Sequence, residues 1–300
     1  MADSRLLPAP PLLKWIVLPR PIRLIAIDID GTLLDSKSQV SPANLDALRR
    51  AHDAGVETVL VTGRRHSFAL PIAQSLGFDL WIISSNGAVT RSTRGESFHR
   101  DLMPQTTATK LCGHMRDFRN YTVVTFDREN MGAIVCEEHE QLYSVIQRWM
   151  EKNAPVIQYV KPIEKALVED PIQVMFCGPI DLMKSAVGRL LECECANDIT
   201  VLRTEYVHRN LTIVDILNAG CSKGHALERW ARHRGLDREE VMAIGDNYND
   251  IEMLTFAGHP VIMGNASDEL KQNGWTITLH NDESGVAAAV EQVLGEKVNA

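Results

Sequence analysis

Two aspartates separated by a single residue follow a short apolar run near the start of the chain. Residues 23–27 are almost entirely apolar and lead directly into Asp28 and Asp30. Because residues i and i+2 of a strand project to the same face, the two carboxylates are expected to lie side by side where the strand ends. Gly31 then lets the backbone turn sharply around a ligand. Such a pair can supply a carboxylate nucleophile, Asp28, and a neighbouring acid and base, Asp30.

A second acidic group lies late in the chain, in residues 245–250. A carboxylate that attacks an anionic phosphate needs its negative charge offset, and a hard cation such as Mg²⁺, bound by carboxylates, phosphate and water, serves that purpose. Asp246 follows an apolar run and is the expected further metal ligand. Asp250 is expected to support the site rather than to bind the metal.

The remaining polar groups at predicted strand and helix ends suit a bound phosphate. The Thr62 hydroxyl, the Lys223 ammonium and the Asn249 amide are expected to hold it, and Lys223 also begins a helix whose free amides favour anions. Further substrate contacts are predicted at three positions that lie at or beside predicted strand ends: Gly63, Arg64 and Asn86.

Each of these signals has an ordinary structural alternative when it is taken alone. Residues 28–31 also fit a turn or the start of a calcium loop, although residues 32–34 depart from an EF-hand pattern. Thr62, Gly63 and Arg64 fit a turn that ends a strand, and Lys223 fits a solvated lysine. Residues 245–250 also fit a helix cap. The case for a site therefore depends on the order of the motifs and on their common place at strand ends.

The elements needed to position these residues repeat a strand and helix pattern at both ends of the chain. Apolar runs of four to six residues alternate with segments of helical period from Leu24 onward and again after Lys223, which is typical of a parallel α/β sheet. Ser41 and Pro42 predict the start of a helix that ends near Gly55. Ligands of such sheets bind beyond the carboxyl ends of the strands, where Asp28, Thr62, Asn86 and Asp246 all fall.

The middle of the chain follows a different pattern, because several predicted strands succeed one another without a helix between them. We therefore predict an α/β fold with a doubly wound parallel sheet as its core and an inserted α+β unit that is antiparallel and covered by helices. The predicted division is an N-terminal tail at 1–22, a core formed by 23–88 together with 217–300, and the insert at 89–216.

Composition restricts the partners and the compartment. The net charge of −8 opposes binding to nucleic acid or to an anionic membrane, so the expected partner is a small molecule. The six scattered cysteines form no zinc pattern and are expected to be reduced thiols in the cytoplasm. Residues 6–18 are apolar but are interrupted by prolines and Lys14, which fits neither a spanning helix nor a signal peptide. The ten histidines form no metal-spaced cluster, and His259 is expected to be structural.

Four motifs follow one another along the chain, at residues 28–34, 61–64, 222–224 and 245–254. In this order they resemble the haloacid dehalogenase-like hydrolases, and among them the Cof-type sugar-phosphate phosphatases with a large α/β cap of the C2 type. The resemblance implies a nucleophile, an acid and base, three phosphate holders and a magnesium site. The implied nucleophile is Asp28, and the implied acid and base is Asp30. The implied phosphate holders are Thr62, Lys223 and Asn249. The implied magnesium ligands are Asp28, the Asp30 backbone carbonyl and Asp246.

The expected function is therefore Mg²⁺-dependent hydrolysis of small phosphate monoesters, such as sugar phosphates or related metabolites, through an aspartyl-phosphate on Asp28. The resemblance further implies that the insert closes over the site and selects the leaving group. Two alternatives use the same residues: a phosphomutase, and a protein that binds a phosphorylated ligand without turning it over. The sequence leaves the oligomeric state open.

Overall fold

The computed structural model describes residues 21–137 and 140–298. The predicted N-terminal tail at 1–22 therefore lies almost wholly outside the described residues. The strands, in chain order, are β1 (Leu24–Ile27), β2 (Glu57–Val61), β3 (Trp81–Ser84), β4 (Val89–Ser92), β5 (Ser97–Arg100), β6 (Thr122–Thr125), β7 (Ile134–Cys136), β8 (Ile157–Tyr159), β9 (Gln173–Gly178), β10 (Ile199–Tyr206), β11 (Leu211–Asn218), β12 (Val241–Gly245), β13 (His259–Ile262) and β14 (Thr276–Ile277). The helices are α1 (Pro42–Asp53), α2 (His66–Ser75), α3 (Gln105–His114), α4 (Glu140–Asn153), α5 (Ile180–Leu190), α6 (Lys223–His233), α7 (Ile251–Phe256), α8 (Asp268–Lys271) and α9 (Gly285–Val298).

The first sheet combines strands from both ends of the chain in the order β14-β13-β12-β1-β2-β3-β4-β5. The strands from β14 to β3 are parallel, and β4 and β5 continue the sheet antiparallel at one edge. β1 lies in the middle, and its four residues are fully buried, as a strand covered on both faces must be. The polar residues that follow β1, β2, β3 and β12 therefore meet at one edge of the sheet.

Helices cover both faces of this sheet. Apolar residues of α1, α2 and α9 pack on one face, and those of α6 and α7 pack on the other. The local signals for α1 are confirmed: the Ser41 hydroxyl accepts a hydrogen bond from the Asn44 amide, Pro42 is the first helical residue, and Gly55 adopts a left-handed φ of +77° just after the helix.

The second sheet has the order β10-β11-β9-β6-β7-β8. Its pairs are antiparallel except β7 with β8, and α3 and α5 pack on one face while α4 packs on the other. A small buried cluster of Ala88, Val89, Ile172, Leu217 and Cys221 lies where the chain passes between the two sheets. The predicted fold class, an α/β core with a parallel sheet and an inserted α+β unit, is confirmed.

The sequence predicts that the insert begins at residue 89, and here the structure differs. β4 and β5 pair with β3 and so extend the first sheet, and the elements of the second unit begin with α3. The reversal after β3 depends on Asn86 and Gly87, whose φ angles of +54° and +110° turn the chain back on itself. The periodic pattern also missed β8, β14 and α8, which span only two to four residues each.

Candidate active site

Asp28 and Lys223 form a buried ion pair beyond the end of β1. The Lys223 ammonium, at the first residue of α6, donates hydrogen bonds of 2.6 Å to Asp28 Oδ1 and 2.6 Å to Asp250 Oδ1. The Lys223 side chain is only 1% exposed, so the alternative of a solvated lysine is wrong. Burial opposes its charge, but Asp250 and Asp28 together raise the pKa of Lys223 above its ordinary value, and the side chain stays a cation.

Asp250 organises the loop that carries Asp246. Its second carboxylate oxygen accepts hydrogen bonds of 3.0 Å from the backbone amides of Asp246 and Asn247, and the whole residue is buried. One side chain thus holds both the lysine and the loop after β12.

Asp246 lies against the turn that follows Asp28. The Thr32 hydroxyl donates a 2.9 Å hydrogen bond to Asp246 Oδ1, and the Asn265 amide donates a 2.8 Å bond to the Gly31 carbonyl. Gly31 has a φ of +82°, and a Cβ atom there would collide with the Asp246 carboxylate. Position 31 therefore requires glycine for both its backbone angle and its close approach. Sequence reasoning did not identify Thr32 or Asn265 as site residues.

Three carboxylate oxygens lie close enough together to bind one metal ion. One oxygen each from Asp28, Asp246 and Asp250 lies within 4.8 Å of the others. Burial raises the pKa of Asp28, with Lys223 opposing and the neighbouring carboxylates adding to the effect, and burial together with Asp250 raises the pKa of Asp246 to about 7. One buried lysine thus leaves negative charge uncompensated. A hard divalent cation fits this donor set, and since Asp250 is committed to Lys223 and two amides, Asp28 and Asp246 are the side chains placed to bind it.

Asp30 differs in its surroundings from Asp28. Its side chain is 59% exposed and accepts two hydrogen bonds from Arg64, of 2.7 Å from Nε and 2.5 Å from Nη2. The strand has already ended at Ile27, so the i and i+2 rule does not govern its direction. The two carboxylates therefore lie side by side only in part, because Asp28 is buried whereas Asp30 lies at the mouth of the site, where it is bound by Arg64.

The residues expected to hold phosphate or substrate surround Asp28 at neighbouring strand ends. The Thr62 hydroxyl is buried and accepts a 3.1 Å hydrogen bond from the Arg64 amide. The Asn249 amide donates to Asn86 Oδ1 at 3.2 Å. Gly63 packs so closely that a Cβ there would lie 3.0 Å from the same Asn86 oxygen.

A cavity of about 400 Å³ joins this edge of the first sheet to one face of the second sheet. Its floor contains the expected residues Asp28, Asp30, Thr62, Gly63, Arg64, Asn86 and Asn249. Sequence reasoning identified none of the residues on its roof. These come from strands β9, β10 and β11 and from α4, and they include Gln173, Met175, Tyr206, Ile213, Asp215 and Trp149.

His259 and the six cysteines do not line this cavity. His259 lies on β13, and its Nε2 is 3.0 Å from the Glu239 carbonyl oxygen. All six cysteines lie in the described ranges, and each is a buried free thiol.

Comparisons with known proteins identify the protein family that shares this fold and this arrangement of strand-end carboxylates. The family model of haloacid dehalogenase-like hydrolases matches residues 25–290. The chain belongs to this family. The expected enzyme class, a phosphoric monoester hydrolase of the haloacid dehalogenase-like type, is thereby confirmed.

Two curated relatives match along almost their whole length. The chain is 32% identical to phosphatase YwpJ of Bacillus subtilis, over 91% of this chain and 100% of the relative. It is 30% identical to pyridoxal phosphate phosphatase YbhA of Escherichia coli, over 88% and 96%. Among solved structures, a haloacid dehalogenase-like hydrolase from Bacteroides thetaiotaomicron superimposes with a TM-score of 0.77 at 29% identity, covering 91% of this chain and 99% of that one.

A search of the helices in the described part of the chain found none with the length and apolar character needed to cross a membrane.

Proposed function

We propose that the protein is a Mg²⁺-dependent phosphatase that hydrolyses small phosphate monoesters through an aspartyl-phosphate on Asp28. The observation that carries the proposal is the buried triad of Asp28, Lys223 and Asp250, in which Asp28 also lines the cavity. A binding protein would need the lysine but not a buried carboxylate aimed at the same anion. The activities of the relatives named above support the proposal.

In the first step, an Asp28 carboxylate oxygen attacks phosphorus, and the bond between phosphorus and the leaving-group oxygen breaks. Lys223 is fixed 2.6 Å from the other side of that carboxylate, so it orients Asp28 and places a positive charge beside the incoming phosphate. Thr62 and Asn249 donate hydrogen bonds to the phosphate oxygens. A Mg²⁺ ion bound by Asp28, Asp246 and the Asp30 carbonyl would neutralise the charge that carboxylate and phosphate bring together.

Asp30 supplies and removes the protons. It gives a proton to the departing oxygen, and as a carboxylate it then takes one from the water that attacks phosphorus and frees Asp28. Its position at the cavity mouth suits this exchange with solvent. Arg64 must release Asp30 for the first transfer, and the anionic substrate provides an alternative partner for the guanidinium.

We propose that the second sheet, with its helices, is the cap that selects the leaving group. Its residues form the roof of the cavity over Asp28, and about 400 Å³ suits a metabolite rather than a macromolecule. The substrate class is therefore a small phosphorylated metabolite, with sugar phosphates as one candidate group. The buried free thiols support a cytoplasmic location.

The test is phosphate release from a panel of about 100 phosphorylated metabolites, with p-nitrophenyl phosphate as a generic substrate. Release that requires Mg²⁺ and stops on chelation is expected. Accumulation of an isomeric phosphate instead of free phosphate would identify a phosphomutase. Binding of phosphate esters without any turnover would contradict an enzymatic function.

A further inference from the structure

The roof of the cavity holds hydrogen-bond acceptors whose partners are missing from the described protein. Gln173, on β9, is 8% exposed, and its amide donates a 3.0 Å hydrogen bond to Asp215 Oδ1 on the neighbouring strand β11. Only the NH₂ end of that amide can donate to a carboxylate, so Asp215 fixes its orientation. The Gln173 carbonyl oxygen is then left buried without a hydrogen-bond partner among the described residues.

Asn153, the last residue of α4, lines the same cavity and repeats this arrangement. The residue is 1% exposed, and its amide donates a 2.7 Å hydrogen bond to the Trp149 carbonyl. Its own side-chain oxygen has no partner within the described ranges. A buried acceptor without a donor is costly, and in a cavity wall it is satisfied when a ligand brings the donor.

Asp215 joins this roof to the phosphate side of the cavity. It accepts a 3.2 Å hydrogen bond from Asn86, which in turn accepts one of 3.2 Å from Asn249. The hydrogen bonds that its carboxylate accepts come from the amides of Asn86 and Gln173, which are neutral groups. The roof beside Asp215 is therefore an accepting surface, and the cations Arg65 and Lys152 line the same cavity.

We propose that Gln173, Asp215 and Asn153 form a subsite that recognises the leaving group through its O–H or N–H donors. This inference rests on the proposed phosphatase function and adds the chemistry of the group that departs. The leaving group carries hydroxyl or amino groups on the side that faces β9 and β11. Leaving groups without donors are poor substrates because the acceptors stay unsatisfied.

The experiment compares phosphate esters that share a carbon skeleton and differ in donors. Suitable pairs are sorbitol 6-phosphate with hexyl phosphate, and inositol 1-phosphate with cyclohexyl phosphate. In the best-hydrolysed pair, the donor-bearing ester should have a kcat/KM about tenfold to a hundredfold higher. Equal values in every pair would overturn the inference while leaving the phosphatase function intact, and absence of Mg²⁺-dependent hydrolysis of any ester would overturn both.

Substitution then assigns the preference to the subsite. Gln173→Met keeps the length of the side chain and removes its acceptor, and it should reduce the preference to about threefold or less. Asp215→Asn allows the new amide to donate to the Gln173 oxygen, and it should reduce the preference in the same way. Gln158→Met is the control, because Gln158 lies exposed on β8 of the same sheet.

Melting curves establish that each variant is folded. A preference that survives both substitutions, with kcat/KM falling equally for the two members of a pair, would show a merely structural role and refute the subsite. If Gln173→Met does not fold, the result for Asp215→Asn and the wild-type preference decide the question.

Discussion

Replacing Asp250 with asparagine tests whether this residue is the support on which the site is built. The substitution keeps the size of the side chain and removes the negative charge that faces Lys223 at 2.6 Å. Both side chains are essentially inaccessible, at 1% and 0% exposure, so solvent cannot replace the lost partner. The amide that replaces the carboxylate can also accept at only one oxygen, which leaves it unable to serve both Lys223 and the backbone amides of Asp246 and Asn247.

The expected cost is large because one member of a buried ion pair is removed and the other stays buried. Such changes destabilise by about 3–5 kcal/mol. At about 2–4 °C per kcal/mol for a chain of this size, the melting temperature should fall by about 6–20 °C. Asp28 still faces the lysine, so the protein should fold.

The assay is thermal unfolding in Mg²⁺-free buffer, with Asp46→Asn as the matched control. Asp46 forms an ion pair of 2.9 Å with Arg50, but their side chains are 70% and 47% exposed. An exposed pair of this kind contributes little because water screens the two charges, and the control should melt within a few degrees of the wild type. Similar losses in the two variants, or a shift below about 2 °C for Asp250→Asn, would refute the reasoning from burial.

Three further substitutions, one of them with a control variant, test other parts of the site. Burial raises the pKa of Asp215 to about 6 from its ordinary 3.8, so the ionised carboxylate lowers the stability of the folded protein above that pH and has no such effect below about 4. In urea unfolding, Asp215→Asn should therefore become more stable relative to the wild type as the pH rises from 4 to 6. A stability difference that stays constant over this pH range would contradict this. Thr32→Val removes the donor to Asp246 and should weaken Mg²⁺ activation about tenfold in a metal titration. Thr58→Val, whose buried hydroxyl has no partner among the described residues, should leave that activation unchanged and raise the melting temperature slightly; the reverse order would refute the assignment of Thr32. Gly31→Ala should lower activity about a hundredfold or more, because the added Cβ collides with the Asp246 carboxylate, and normal activity would show that the turn is not constrained.

The sequence predicts the sheet and the floor of the site well because both depend on local signals. Apolar runs that end in polar residues identify β1, β2 and β12, and parallel pairing then places Asp28, Thr62 and Asp246 at one edge. The capping residues of α1 are similarly local. A family resemblance based on ordered motifs rests on the same positions.

The partners of each side chain are harder to predict because they come from distant parts of the chain. Lys223 can be buried only because it forms ion pairs with Asp28 and Asp250, which lie 195 and 27 residues away in the sequence. The pairing of Arg64 with Asp30 depends on where β1 ends, which an apolar run defines only to within a residue or two.

The roof of the cavity could not be predicted at all. Asp215 pairs with Met175 across β9 and β11, which brings the Gln173 side chain, two residues along β9, within reach of the Asp215 carboxylate; this register has no signature in a single sequence. The place of β4 and β5 was missed for a related reason, since a hairpin that extends the first sheet resembles the start of an antiparallel insert.

The most direct test of the account is the activity of Asp28→Asn toward p-nitrophenyl phosphate with saturating Mg²⁺. Asp35→Asn, in the surface turn that follows, is the control, since the Asp35 carboxylate accepts hydrogen bonds from the nearby backbone amides of Lys37 and Gln39. If Asp28 is the nucleophile, its variant should lose at least about 10³-fold in kcat while remaining folded, and the control should stay close to the wild type. Full activity of a folded Asp28→Asn would contradict the central claim.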